Sequence, residues 1–225
     1  MQPEALKTFF RELREDPEIT TYLRVADEHL REMGYTDHGL RHCRLVSDIA
    51  RNVMKRLNRT QEEQDLAGIA GYLHDIGNLV NRRDHATAGA VMAWRILKER
   101  GLSWEQIAKV AGAIGNHEEA YGKTVNSVSA ALILADKSDV HRTRVRAEGS
   151  QPLDIHDRVN YAANESFLDV NPGARTITLR IQIDTDISPV MDYFEIFLTR
   201  MMMCRRAAEF LGQNFELDIN GMHLL

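Results

Sequence analysis

The sequence predicts a mainly α protein, with a helical body over residues 1–150 and a small α+β subdomain over residues 151–225. Three observations carry that expectation. Apolar residues recur at three- and four-residue spacing through about Arg146. Helix start and stop signals punctuate the same stretch. Period-two alternation follows the break Gly149-Ser-Gln-Pro152.

The elements follow in order. Pro3 suits a first helical turn, and Ala5–Leu13 carries the apolar spacing of the first helix. Pro17 opens a second helix that stops near Gly34. Asp37 is expected to cap a long third helix to about Leu57. Along it His42, Val46, Ile49, Val53 and Leu57 recur at three and four, which puts His42 on the inward stripe. Thr60-Gln-Glu-Glu63 is a capping box for a helix to about Leu79. Another helix runs from Asp84 to Arg100 and ends at Gly101. Ser103-Trp-Glu-Gln106 is a second capping box, for a helix to about His117, and Asn126 or Ser127 starts one that extends to roughly Arg144. Beyond the break a short helix spans about Asp154–Ala163. Ser166–Val170 and Thr176–Ile183 then form a hairpin around Asn171-Pro-Gly173. Ser188-Pro189 starts a helix that ends at Gly212, and Phe215–Ile219 is a third strand. The strands are expected to be antiparallel.

Composition bounds the function. The 225 residues, 44% hydrophobic and 27% charged, describe a soluble globular chain long enough to bury a core without covalent staples. Two cysteines, Cys43 and Cys204, make no disulfide framework, so a cytoplasmic home is expected. The longest nearly apolar run, Val128–Ala135, is far short of the roughly 20 residues that span a bilayer, and Met1–Asp16 has no secretory apolar core. No membrane partner is expected. A net charge of −5 argues against stable nucleic-acid binding and leaves a small phosphorylated metabolite or nucleotide as the partner class. The nine histidines are the unusual feature.

Leu73-His74-Asp75-Ile76-Gly77 is the stretch with chemistry in it. Neighbouring side chains on a helix point about 100° apart, so His74 and Asp75 can both reach an ion lying between them. Imidazole with carboxylate suits iron, manganese or zinc. Gly71 and Gly77 leave room for neighbouring helices to come close. Alone the dipeptide means little. Its context adds His42, His85 in His85-Ala-Thr-Ala-Gly-Ala90, His117 in Gly115-Asn-His-Glu118, and Asp136 in Leu134-Ala-Asp-Lys-Ser-Asp139. Each buried polar group needs a partner, so four inward histidines with two carboxylates are better explained by a shared nitrogen- and oxygen-ligand site than by separate core residues.

The order His, His-Asp, His, His, Asp resembles the HD superfamily of metal-dependent phosphohydrolases, over roughly Tyr35–Arg146. The tail beyond Gln151 resembles no family. The resemblance implies that His42, His74, Asp75 and Asp136 surround one metal, that His85 and His117 add a second, and that Asp75 bridges them. It also makes His74 and Asp75 the catalytic pair. The implied cofactor is one or two divalent transition ions, iron or manganese first, with zinc, nickel, cobalt or magnesium also compatible. The implied activity is hydrolysis of a phosphate monoester, phosphodiester or nucleotide by metal-activated water. The cyclic-dinucleotide branch carries Lys after His-Asp-Ile-Gly and a Gly-Tyr-Pro signature farther on. Here those places hold Asn78 and Tyr121-Gly-Lys-Thr124, so that substrate is not assigned. HD-fold di-iron oxygenases share the ligand order, and a regulatory module with a structural metal is the remaining alternative.

Substrate contacts are expected from His38, Lys137, Arg142 and Arg146. His38 precedes His42 by four residues, and Lys137 follows the last ligand. On a helix continued past Asp136, Arg142 and Arg146 share a face and Arg144 turns away. Each of these also has a plain reading as a solvated helix end or surface residue, as do Arg82, Arg83, Glu118 and Glu119. His29, His156 and His223 read as surface residues. Met191 and Met201–Met203 suggest packing, or a homo-oligomer interface through the C-terminal subdomain.

Overall fold

The computed structural model describes residues 1–146 and 154–224. The helical body comprises α1 (Pro3–Leu13), α2 (Pro17–Glu32), α3 (Leu40–Arg56), α4 (Gln61–Leu73), α5 (His85–Glu99), α6 (Trp104–Gly115) and α7 (Ser127–Ser138). After it come α8 (Ile155–Ala162), β1 (Ala163–Asn171), β2 (Thr176–Ile183), α9 (Val190–Phe210), β3 (Asn214–Ile219) and β4 (Met222–His223). The boundary expected between 150 and 151 lies outside the described residues.

Local chemistry explains most ends. Asp16 accepts hydrogen bonds from the Glu18 and Ile19 N–H groups, and Pro17 fills the first turn of α2. Gly34, at φ +81°, closes that helix, and the Tyr35 N–H reaches back to the Leu30 carbonyl. Reciprocal capping boxes start α4 at Thr60/Glu63 and α6 at Ser103/Gln106. A third box joins Asn126 and Ser129 at the start of α7.

Helix α4 from Asp65 to Leu73 and helix α7 from Val128 to Ser138 are buried at every residue, as helices in the middle of a bundle are. They pack on α3 and α6. Gly71 makes this possible: a Cβ there would lie 2.7 Å from the Ser47 Cα, so α3 and α4 touch backbone to backbone.

Three helix bounds differ from expectation. Asp37 does not cap α3. Its carboxylate accepts from the Gly39 N–H and from Arg41 Nε, and the helix begins at Leu40. Helix α4 stops at Leu73, short of Leu79. Asp75 leaves helical geometry at φ −95°, ψ 2°, and a single 3₁₀ turn follows over Ile76–Leu79. The turn must seat Gly77 against α5, where a Cβ would come within 1.9 Å of the His85 carbonyl oxygen. Helix α7 ends at Ser138, whose hydroxyl donates to the Ala135 carbonyl, and only a short 3₁₀ turn covers Arg142–Arg144.

The tail is α+β as expected, but its sheet is mixed. The order is β1-β2-β3-β4, with β1–β2 antiparallel, β2–β3 parallel and β3–β4 antiparallel. A parallel pair needs a long crossover, and α9 is that crossover. Helix α9 also packs along α7, which brings the tail up to the helical body. No helix among the described residues is long and apolar enough to cross a membrane. Cys43 and Cys204 are buried free thiols.

Candidate metal centre

Five helices or their ends contribute to one buried point. His42 faces inward from the first turn of α3. His74 and Asp75 lie where α4 breaks, His85 opens α5, His117 follows α6, and Asp136 sits in the last turn of α7. The break after Leu73 and the glycine contact at Gly77 bring the α4 end against the α5 start. An uninterrupted helix would carry Asp75 onward along the axis.

The ring nitrogens crowd together. His42 Nε2 lies 3.2 Å from His74 Nε2, and His85 Nε2 lies 3.1 Å from His117 Nε2. Asp136 Oδ1 is 3.3 Å from His42 Nε2 and 3.6 Å from His74 Nε2. Asp75 turns Oδ2 toward His74 at 3.3 Å and His42 at 3.7 Å, and Oδ1 toward His85 at 3.5 Å. Two overlapping groups, His42/His74/Asp136 and His74/Asp75/His117, have ligand atoms within 4.8 Å of one another.

The opposite ring nitrogens set the tautomers. Nδ1 of His74, His85 and His117 donates to the carbonyls of Gly71, Arg82 and Ile114 at 2.8, 2.9 and 2.6 Å. A carbonyl oxygen only accepts, so each Nδ1 carries hydrogen, and the neutral ring offers its Nε2 lone pair to the centre. His42 Nδ1 donates in the same way to Asp139 Oδ2 at 2.7 Å. Four rings held in this tautomer aim their lone pairs at each other beside two carboxylates. Asp75 Oδ2 is buried and, among the described residues, has no hydrogen-bond partner. A cation resolves this arrangement, and imidazole with carboxylate is the donor set of a divalent transition metal.

Without an ion a proton takes part of that role. Burial works against charge on His74, but Asp75 and Asp136 win and carry its pKa up to about 10. Burial and then the His74 charge push His117 down to about 3. Burial opposes ionisation of Asp75 and Asp136, yet His74 and Lys137 respectively hold them well below the usual carboxylate range. An ion that binds here displaces the His74 proton.

The HD domain family model matches residues 39–162, more than half of the chain and the stretch that contains all six of these side chains. The chain belongs to the HD domain family. It is also 26% identical over 163 residues to an uncharacterized protein of Methanocaldococcus jannaschii, in an alignment that covers 62% of this chain and 62% of that relative.

Around these six side chains lie groups that hold them in place. Asn78 Nδ2 donates to Asp75 Oδ1 at 2.8 Å and to the Asp75 carbonyl at 3.0 Å. Lys137 Nζ lies 2.7 Å from Asp136 Oδ2 and 3.5 Å from Glu119. Asp139, buried, takes Arg41 Nη2 at 2.9 Å as well as His42. Glu118 Oε2 stands 3.5 Å from His85 Nε2.

Beside these side chains opens a small cavity of about 30 Å³, walled also by His38, Arg82, Glu118, Glu119, Lys137, Arg144 and Arg200. Of the expected substrate contacts, His38 and Lys137 line it. His38 is not on α3, which starts two residues later. Its Nδ1 donates to the Thr36 carbonyl at 2.7 Å and its Nε2 accepts from Arg144 at 3.0 Å. Burial and the Arg144 charge hold it well below the usual imidazole pKa. The shared helical face expected for Arg142 and Arg146 does not exist, because α7 ends at Ser138. Arg142 stacks over the Tyr161 ring at 5.4 Å, and Arg146 clamps Asp27 and the Tyr35 carbonyl; neither lines the cavity. Arg144, expected to turn away, is buried in the wall and donates to the Asp139 and Asp37 carbonyls.

Sequence reasoning missed Asp139 and Arg200. Asp139 follows Asp136 by three residues, a spacing that was visible without a partner to explain it. Arg200 had a clearer signal. Tyr193, Phe197, Cys204 and Ala207 mark the inward stripe of α9, and Arg200 falls on it.

Proposed function

We propose that this protein is a metal-dependent phosphohydrolase that cleaves a phosphate ester of a small metabolite or a nucleotide. His42, His74, Asp75, His85, His117 and Asp136 would hold one or two divalent transition ions, iron or manganese first. The observation that carries this reading is the convergence of four Nε2 lone pairs and two carboxylates beside a cavity whose further wall sets four cations, Arg82, Lys137, Arg144 and Arg200, against two acids, Glu118 and Glu119. Donors of that kind retain a metal, and cations beside them suit an anionic substrate.

Such an ion supplies the Lewis acidity that activates water and polarises a phosphoryl oxygen. The chain's own groups do the rest. Asp139 fixes the His42 ring, Asn78 fixes the Asp75 carboxylate, and Lys137 offsets the outer oxygen of Asp136. The four cations of the wall outnumber Glu118 and Glu119 and would compensate charge on a phosphate, which favours the hydrolase over an oxygenase acting on an uncharged substrate.

The test is hydrolysis of a panel of monoesters, diesters and nucleotides by protein loaded with manganese or, anaerobically, iron, with free phosphate, monoester and polyphosphate products separated by chromatography. Oxygen uptake is followed in parallel. Turnover of at least one ester, lost in Asp75→Ala, is expected. Metal-replete protein that cleaves no ester on the panel would end the hydrolase reading, and oxygen uptake would replace it.

A further inference from the structure

Four cations line the cavity, and their hydrogen bonds separate them. Lys137 is spent on Asp136 and Glu119. Arg144 donates Nη1 to the Asp139 carbonyl and Nη2 to the Asp37 carbonyl and His38 Nε2, so both ends of its fork are occupied. Arg82 spends only Nη1, on Asn78 Oδ1 and toward His85 Nε2. Arg200 spends only Nε, on Glu119 Oε1 at 2.5 Å, and among the described residues neither of its Nη groups donates a hydrogen bond. Spare forks therefore belong to Arg82 and Arg200.

Position singles out the same two. A wider vestibule of about 350 Å³ opens next to the metal cavity and shares His38, Arg82, Arg144 and Arg200 with it. Anything that moves from the vestibule to the ligands passes these side chains. The inner cavity is the smaller of the two, so the organic part of a substrate would stay outside beside Tyr35 and Phe197.

Arg200 is also aimed. Its guanidinium lies 4.3 Å from the centroid of the Phe197 ring one turn earlier, and Glu119 holds Nε from the other side. Glu119 in turn lies beside Lys137, which pairs with Asp136. A chain of ion pairs thus runs from α9 to the metal ligands, and α9 lies wholly outside residues 39–162, the HD match.

We propose that Arg200 is a phosphate-binding residue supplied to the metal cavity by the C-terminal helix, with Glu119 as its positioning residue. The proposal rests on the phosphohydrolase reading for its substrate, but the anion site itself is testable without turnover. A guanidinium with two free Nη groups binds a phosphate through paired charge-assisted hydrogen bonds, which an ammonium cannot reproduce.

The experiment is calorimetric titration of inorganic phosphate into full-length protein carrying manganese with excess ion removed. The variants are Arg200→Gln, Arg200→Lys and, as a charge control, Arg83→Gln at an exposed neighbour of the site. Loss of charge-assisted bonds should raise the phosphate Kd at least about tenfold in Arg200→Gln. Arg200→Lys should fall between it and wild type, and Arg83→Gln should stay within about twofold. Manganese content should be unchanged in all three. If Arg200→Gln loses metal or fold, Arg200→Lys, which keeps the charge beside Glu119, decides the matter. Wild-type affinity in the folded Arg200 variants, or no phosphate binding by the wild type, would overturn the proposal. Phosphate binding that depends on Arg200, in a protein that hydrolyses no ester, would sink the hydrolase reading and leave the anion site standing.

Discussion

Asp139→Asn alters one atom outside the six candidate ligands and should weaken the metal site through His42. In the wild type His42 Nδ1 donates to Asp139 Oδ2 at 2.7 Å, so Nε2 is the bare nitrogen. Arg41 Nη2 donates to the same oxygen at 2.9 Å. An asparagine oxygen in the Oδ2 place has two lone pairs and can still accept from both donors, but it carries no negative charge, so the His42 ring loses the carboxylate that raises its basicity. In the flipped orientation the amide NH₂ faces His42 Nδ1 and favours the tautomer with hydrogen on Nε2, which cannot bind a metal through that nitrogen. Either way metal affinity should fall. Groups behind metal-bound histidines contribute roughly 10–100-fold to affinity, about 1.4–2.7 kcal/mol. Competition against chelators of graded strength, read by the metal retained after desalting, measures it directly. Thermal unfolding gives an independent reading: metal at 100 times the wild-type Kd stabilises by about 2.7 kcal/mol, and the same concentration should stabilise the variant much less. A folded Asp139→Asn protein with wild-type metal affinity would refute the tautomer argument.

Other consequences follow from single contacts. Gly77→Ala should cost about 3 kcal/mol in chemical denaturation, because its Cβ would meet the His85 carbonyl and the Gly89 nitrogen, both backbone; a neutral result would mean that this close approach is not maintained in solution. His85→Ala should remove one ligand from the His117 side and leave His42, His74 and Asp136 intact, lowering metal content from two ions per chain toward one; wild-type protein that never holds more than one ion under manganese loading would end the dinuclear expectation. Arg146→Ala should destabilise the protein by about 1–3 kcal/mol, because it leaves the largely buried Asp27 without its guanidinium, while KM for a phosphorylated substrate stays unchanged; a raised KM would restore the substrate role expected from sequence.

What was legible in the sequence was what local rules determine. Thr60 and Ser103 sit three residues before Glu63 and Gln106, and that spacing alone makes the two capping boxes observed. The stripe from His42 to Leu57 places His42 inward because a 3.6-residue period allows no other face. The HD family was readable from the order His, His-Asp, His, His, Asp because each motif is short and local. The illegible parts depend on contacts between distant residues. Where α7 ends depends on the turn after Ser138, which leaves Asp139 free to meet His42 and Arg41 from α3; the arginines after it then go to separate partners, not to one helical face. Helix α4 breaks early because Gly77 must meet α5, a contact invisible within residues 61–79. Strand β3 pairs parallel to β2 because α9 carries the chain back across the sheet, and alternation along a strand does not encode the direction of its neighbour. Arg200 lay on an apolar stripe in plain view, but only the packing of α9 on α7 shows what it faces.

The metal centre itself is tested most directly by diffraction from manganese-loaded crystals, with anomalous data collected on both sides of the manganese edge. An anomalous peak is expected within bonding distance of His42 Nε2, His74 Nε2 and an Asp136 oxygen. A second peak is expected beside His85 and His117, with Asp75 between the two. Density that leaves these six side chains without metal, in crystals where manganese binds elsewhere on the chain, would contradict it.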